Sequence, residues 1–80
     1  MYIHIGGGRV VREEEIIGCF DMDGRVMSDV TVDFLKKCER EGKTSSADAD
    51  LPRSFVLTEG EVIFTHISTS AIKNRVSSLA

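Results

Sequence analysis

Met27-Ser28-Asp29-Val30-Thr31-Val32-Asp33-Phe34-Leu35-Lys36-Lys37-Cys38-Glu39-Arg40-Glu41-Gly42 is the stretch that decides the fold. It opens on an apolar residue followed by serine. Ser28 is placed to cap a helix, with Met27 and Val32 spaced to close a hydrophobic staple across the cap. Val30, Phe34 and Cys38 recur at i, i+4 and i+8 with Leu35 beside them, which predicts one apolar stripe on a helix over residues 28–41. Gly42 supplies the stop, and Lys36, Lys37 and Arg40 sit where cations suit the C-terminal dipole. The same plan returns at Ile67-Ser68. There Ile72 completes the staple, and Ile72, Val76 and Leu79 make the stripe of a second helix. The halves share a plan but not a sequence, so they are not a repeat.

Outward from the helices, the segments read as strands. Tyr2-Ile3-His4-Ile5 alternates, placing Ile3 and Ile5 on one face and Tyr2 and His4 on the other. Gly6-Gly7-Gly8 turns the chain, and Arg9-Val10-Val11-Arg12 returns as the second strand of a hairpin. Ile16 to Phe20 is a short apolar run bounded by acids, expected to be a central strand, and Asp23-Gly24 ends it in a turn. Lys43 to Asp50 is polar and small, the one segment expected to be a flexible loop. Phe55-Val56-Leu57 is a strand, Glu59-Gly60 a turn, and residues 62–67 the antiparallel partner. This is an α+β pattern: a small, mostly antiparallel sheet with two helices in a single domain over residues 1–80.

A chain of 80 residues with formal charge −3 and 41% hydrophobic residues is an ordinary small acidic domain. At this size the core is marginal, and disulfides, a metal or oligomerisation usually supplement it. Cys19 and Cys38 stand alone, without a CxxC or CxxxC, so buried free thiols are expected and oligomerisation is left. No charged n-region precedes a long apolar stretch and no window approaches the length of a membrane span, so a cytoplasmic location is expected. Charge is uneven. Glu13-Glu14-Glu15 and the segment around Asp48 and Asp50 are acidic, whereas residues 62–80 hold no acid at all. Such asymmetry hints at a partner surface.

Several local patterns resemble sites of known chemistry and lack its context. A phosphate cradle needs its glycines to lead from a strand into a helix, but Gly6-Gly7-Gly8 leads into β-prone Arg9-Val10-Val11. Ser70-Ala71-Ile72-Lys73 matches S-x-x-K, yet Ser28-Asp29-Val30 and Lys43-Thr44-Ser45 both miss the companion motifs at their last residue. Asp21-Met22-Asp23-Gly24 has no glutamate where a calcium loop needs its bidentate ligand. Neither His4 nor His66 has a Cys, His or carboxylate nearby in sequence at ligand spacing. Both are expected to be strand-face or subunit-contact histidines, open to a pH-sensitive role. No metal and no cofactor is expected. No nucleophile, base and oxyanion donor can be assembled from spacing, so the chain is not expected to be an enzyme.

The basic residues remain. Lys43 and Arg53 flank the polar loop, and Arg9 and Arg12 follow the glycine turn, positions from which a β-rich surface presents cations to phosphates. Lys73 and Arg75 are second-rank candidates.

Taken in order, Tyr2-Ile3-His4-Ile5-Gly6, Ile16-Ile17-Gly18-Cys19-Phe20-Asp21, Phe34-Leu35-Lys36-Lys37, Arg53-Ser54-Phe55-Val56-Leu57-Thr58 and Ile67-Ser68-Thr69-Ser70 with Lys73 and Arg75 resemble the extracellular matrix regulatory protein family of bacteria, nearest its RemB (YaaB) branch. The resemblance spans nearly the whole chain. It implies a cytoplasmic regulator of matrix and biofilm genes, a LytTR-like subunit, and a closed ring that binds DNA, as in the RemA branch. A ring would also bury surface that one small core cannot. The RemA branch carries arginines just before the strand matching Phe55 to Leu57. Here that loop reads Ala47-Asp48-Ala49-Asp50-Leu51-Pro52, with Arg53 alone remaining, and Glu15 matches another basic position. Acids at those points repel phosphates and remove counterion-release increments. Two functions are therefore expected: a DNA-associated regulator acting through Arg53, Lys43, Arg12 and Arg9, or a non-catalytic module that binds a protein partner or co-assembles with a related regulator.

Overall fold

Glycine turns the chain first. The computed structural model describes residues 1–22 and 28–77. In it Gly6, Gly7 and Gly8 take φ of 112°, 58° and 78°, a region closed to most side chains. They join β1 (Tyr2–Gly6) to β2 (Arg9–Arg12) in the expected antiparallel hairpin. A 3₁₀ turn over Glu13–Glu15 leads into β3 (Ile16–Asp21). Then come α1 (Asp29–Arg40), β4 (Thr44–Ser46), β5 (Ser54–Thr58), β6 (Val62–Thr65) and α2 (Thr69–Ser77). The hairpin is a two-stranded sheet of its own. The other strands form a four-stranded sheet in the order β3-β5-β6-β4, antiparallel except for the parallel pair β4–β6.

Alternation along β5 and β6 divides the core into two. Val56 and Ile63 face Ile3, Ile5 and Val11 of the hairpin and Ile72 of α2. Phe55 and Val62 face the opposite way, toward Leu35 and Cys38 of α1. The sheet is thus covered by hairpin and α2 on one side and by α1 on the other. Phe55 stacks on Phe20 with centroids 5.1 Å apart and meets Phe64 edge-on at 6.2 Å. The buried hydroxyls are satisfied locally: Ser54 Oγ donates to the Ile67 carbonyl, and Thr58 Oγ1 to the Glu61 carbonyl. Both cysteines are free thiols; Cys38 is buried as expected, whereas Cys19 is half-buried. Burial pushes the Cys19 thiol pKa up against the opposing charge of Lys73.

The caps form as the sequence implies. Ser28 Oγ accepts from the Thr31 N–H and Ser68 Oγ from the Ala71 N–H. The Met27 half of the first staple, the Asp23-Gly24 turn and Leu79 lie outside the described residues.

Four expectations need correction. The first concerns Lys43 to Asp50, which is not a free loop throughout, because Thr44–Ser46 is a parallel strand. The Lys43 carbonyl accepts from Val62 N–H, and Ala47 N–H donates to the Phe64 carbonyl, so β6 imposes order on a polar segment. The second concerns β3, which is an edge of its sheet, not a centre: among the described residues only β5 pairs with it. The third concerns β6, which ends at Thr65, two residues early, because Thr65 Oγ1 accepts the Ile67 N–H and turns the chain. The fourth concerns the stripe of α1, which is split. Leu35 and Cys38 are buried, whereas Phe34 is 40% and Val30 79% exposed. At about 100° per residue, the direction midway between Leu35 and Cys38 lies roughly 110° from Val30 and 70° from Phe34. A helix docked on the first pair leaves the second at its flank.

Candidate functional site

The cations expected to meet phosphates are held at separate places. Arg9 reaches from the hairpin to the sheet: Nη1 donates to Ser45 Oγ at 2.9 Å and Nη2 to Glu61 Oε1 at 2.8 Å. Ser45 Oγ donates to the same carboxylate oxygen at 2.5 Å. The Ser45 hydroxyl, then Arg9, hold the Glu61 carboxyl pKa below its usual range. Lys43, just ahead of β4, lies at this same end of the sheet, with Nζ 3.3 Å from Glu41. Arg12 binds Glu14 at 2.7 Å. Arg75 Nη1 donates to the His4 carbonyl, pinning α2 to β1, and Lys73 is exposed on α2.

Arg53 is elsewhere. Its backbone N–H donates to the Thr65 carbonyl, and its own carbonyl accepts from Met22 N–H. Its side chain is exposed at the end of the sheet where β6 finishes. The four residues of β6, rising about 3.3 Å each, separate it from Lys43 by about 10 Å. The structure thus places Arg9 and Lys43 at one end of the sheet, on different glutamates, and Arg53 at the other.

Next to Arg53's end lies a cluster that sequence spacing missed. Because β4 and β6 run parallel, the residues that follow them leave the sheet on the same side, and Asp48 meets His66 across 18 positions of sequence. His66 Nδ1 stands 2.5 Å from Asp48 Oδ2 and 3.8 Å from Asp50 Oδ2. Asp48 Oδ2 also accepts from Thr65 Oγ1 and the His66 N–H, and Oδ1 from the Asp50 N–H. The His66 side-chain bond leads in holding the Asp48 carboxyl below its ordinary pKa. One donor atom from each of Asp48, Asp50 and His66 falls within 4.8 Å of the others. The only signal in the sequence is the strand-forming register of Thr44–Ser46, which nothing apolar announces.

The glycine turn closes over this cluster. A Cβ on Gly7 would stand 1.9 Å from the Ala47 carbonyl oxygen, and one on Gly6 2.9 Å from Asp48 Oδ2. On the α1 side, Phe20, Val30, Thr31, Phe34, Phe55 and Leu57 line an open apolar groove. Among the described residues no helix is long and apolar enough to cross a membrane.

The sequence model of the RemA-like family, described as extracellular matrix regulatory protein A-like, matches residues 2–76. This chain belongs to the RemA-like family. It is also 35% identical over 75 residues to extracellular matrix regulatory protein B of Bacillus subtilis (strain 168), covering 94% of this chain and 89% of that protein. Residues 2–76 take in every strand described above, α1, and all of α2 but its last residue.

Proposed function

We propose that this chain is a non-catalytic, DNA-associated transcriptional regulator of bacterial matrix genes, working in the cytoplasm as a ring-shaped homo-oligomer of LytTR-like subunits. The observation that carries this reading is the family match across residues 2–76, together with a relative named for matrix regulation. Self-association is supported by the apolar surface left at the flank of α1, where Val30 and Phe34 border a groove floored by Phe55 and Leu57. Contiguous exposed apolar surface is one mark of an interaction site. A face used head-to-tail closes into a ring when its rotation permits. Arg53 is the leading phosphate contact, being exposed where β5 begins. Lys43, Arg12 and Arg9 follow, then Lys73 and Arg75.

Arg53→Glu tests the reading. It should weaken duplex binding, lower the salt slope by about 1 or more, and leave the oligomer mass unchanged. Equal affinity in the variant would remove Arg53 from the interface. One observation favours a second reading, a module that binds protein instead of DNA. Asp48 and Asp50 stand beside Arg53's end of the sheet, while Arg9, Arg12 and Lys43 each face a glutamate. A protein partner retained after nuclease treatment, by an oligomer that ignores DNA at low salt, would favour that module.

A further inference from the structure

We propose that Asp48, Asp50 and His66 form a three-ligand site for a divalent first-row transition cation of the Zn2+ class, and that the bound ion neutralises the acidic loop leading to Arg53. The second clause rests on the DNA-regulator reading; the first stands without it.

The donor set is of the kind such ions take: one imidazole nitrogen and two carboxylate oxygens. The three atoms already converge within 4.8 Å. Around a tetrahedral ion bound at about 2.0–2.2 Å, donors stand roughly 3.3 Å apart. The His66–Asp48 contact of 2.5 Å would therefore open and the His66–Asp50 distance of 3.8 Å would close. Those two changes are each under about 1 Å, and the two carboxylate oxygens, within 4.8 Å of one another, would close by up to about 1.5 Å. Asp50 can supply much of the movement, since its side chain is 75% exposed.

Asp48 supplies a second argument. Its side chain is only 11% exposed, yet among the described residues the cationisable group within ion-pair distance of it is His66. Histidine is not a permanent cation, so among the described residues this carboxylate has no fixed counter-charge, and a divalent ion provides one. The surroundings also orient the ligands: Thr65 Oγ1 and the His66 N–H hold Asp48 Oδ2, and the Asp50 N–H holds Oδ1. Three protein ligands leave a position for water or an outside oxygen. Two carboxylates and one divalent ion sum to no net charge, which removes the repulsion that the loop otherwise offers a phosphate backbone.

The test uses the full chain after chelator treatment. Zn2+ is titrated calorimetrically and Co2+ by its visible absorption, into the wild type, Asp50→Asn and His66→Gln. Circular dichroism checks that each variant is folded, and Asp50 is exposed enough that its variant should be. The expected result is one ion per chain, with affinity at least tenfold lower in both variants. No saturable binding by the wild type would overturn the site. So would equal binding in the variants, which would put the ion on Cys19, Cys38 or His4. Duplex titration with one equivalent of Zn2+ and with chelator then tests the second clause. Wild-type affinity should rise at least threefold with the ion, and Asp50→Asn should not respond. Equal DNA affinity in both states, by protein that holds its ion, overturns the neutralisation and leaves the site standing. No DNA binding in either state overturns the regulator reading with it.

Discussion

Replacing Gly7 and Gly8 by alanine separates two costs that share one turn. Both glycines have positive φ, so alanine at either pays about 1 kcal/mol or more for the left-handed conformation. Around Gly8 a Cβ meets nothing within 4 Å, and the cost ends there. At Gly7 it would stand 1.9 Å from the Ala47 carbonyl oxygen, and backbone cannot swing aside as a side-chain tip can. To restore even a tight contact of about 3 Å the turn and residue 47 must part by roughly 1 Å. That strains the 2.8 Å bond from Ala47 N–H to the Phe64 carbonyl, which holds the end of β4. A weakened buried backbone bond adds about 1–3 kcal/mol. Gly7→Ala should therefore cost about 2–4 kcal/mol against about 1 for Gly8→Ala. In a domain of this size each kcal/mol moves Tm by about 4–8 °C, so Gly8→Ala falls by about 4–8 °C and Gly7→Ala by at least twice as much. Thermal unfolding followed by circular dichroism, at one fixed protomer concentration, reads both. Melting temperatures within 2 °C of one another would refute the packing of the turn on Ala47.

Three further outcomes follow from the same geometry. Leu35→Ala, in the α1 core where Leu35 is 9% exposed, should cost about 2 kcal/mol or more, whereas exposed Val30→Ala should stay within about 0.5 kcal/mol of wild type in the dissociated chain; urea titrations giving equal losses would contradict the docking of α1. Phe34→Ser should reduce the oligomer mass seen by light scattering at low micromolar concentration, and an unchanged mass would take the α1 flank out of the assembly. Glu61, its pKa held down by Ser45 and then Arg9, binds its proton later in the folded chain than in the unfolded one. Its contribution is thus present above about pH 4.3 and lost as pH falls through the lower folded value. Glu61→Gln should flatten stability against pH in that window, and an unaltered profile would remove Glu61 from the clasp.

What the sequence made legible was what local periodicity encodes. The alternation of Tyr2 to Ile5, the glycine run, the Ser28 and Ser68 caps and the apolar runs of β5 and β6 each match the element formed. What stayed hidden depends on partners distant in the chain. Thr44–Ser46 has no apolar pattern, and its strand exists because β6 offers a free edge. The meeting of Asp48 with His66 follows from that same pairing, so a search for ligands near in sequence passes over it. Ile16 to Phe20 is apolar enough for an interior strand, yet among the described residues no strand covers its outer side. In α1 the apolar stripe is wider than the surface it docks on, and only tertiary packing selects Leu35 and Cys38 over Val30 and Phe34. The separation of the candidate cations Lys43 and Arg53 to two ends of β6 is likewise a property of the sheet, not of local sequence.

The most direct measurement is titration of the purified protein into labelled duplex DNA at low and moderate salt, with mass measured in the same sample. The account predicts binding by a species several protomers large, with affinity falling steeply as salt rises. An oligomer that leaves DNA free at low salt, or a monomer that binds it equally well at both salts, would contradict it.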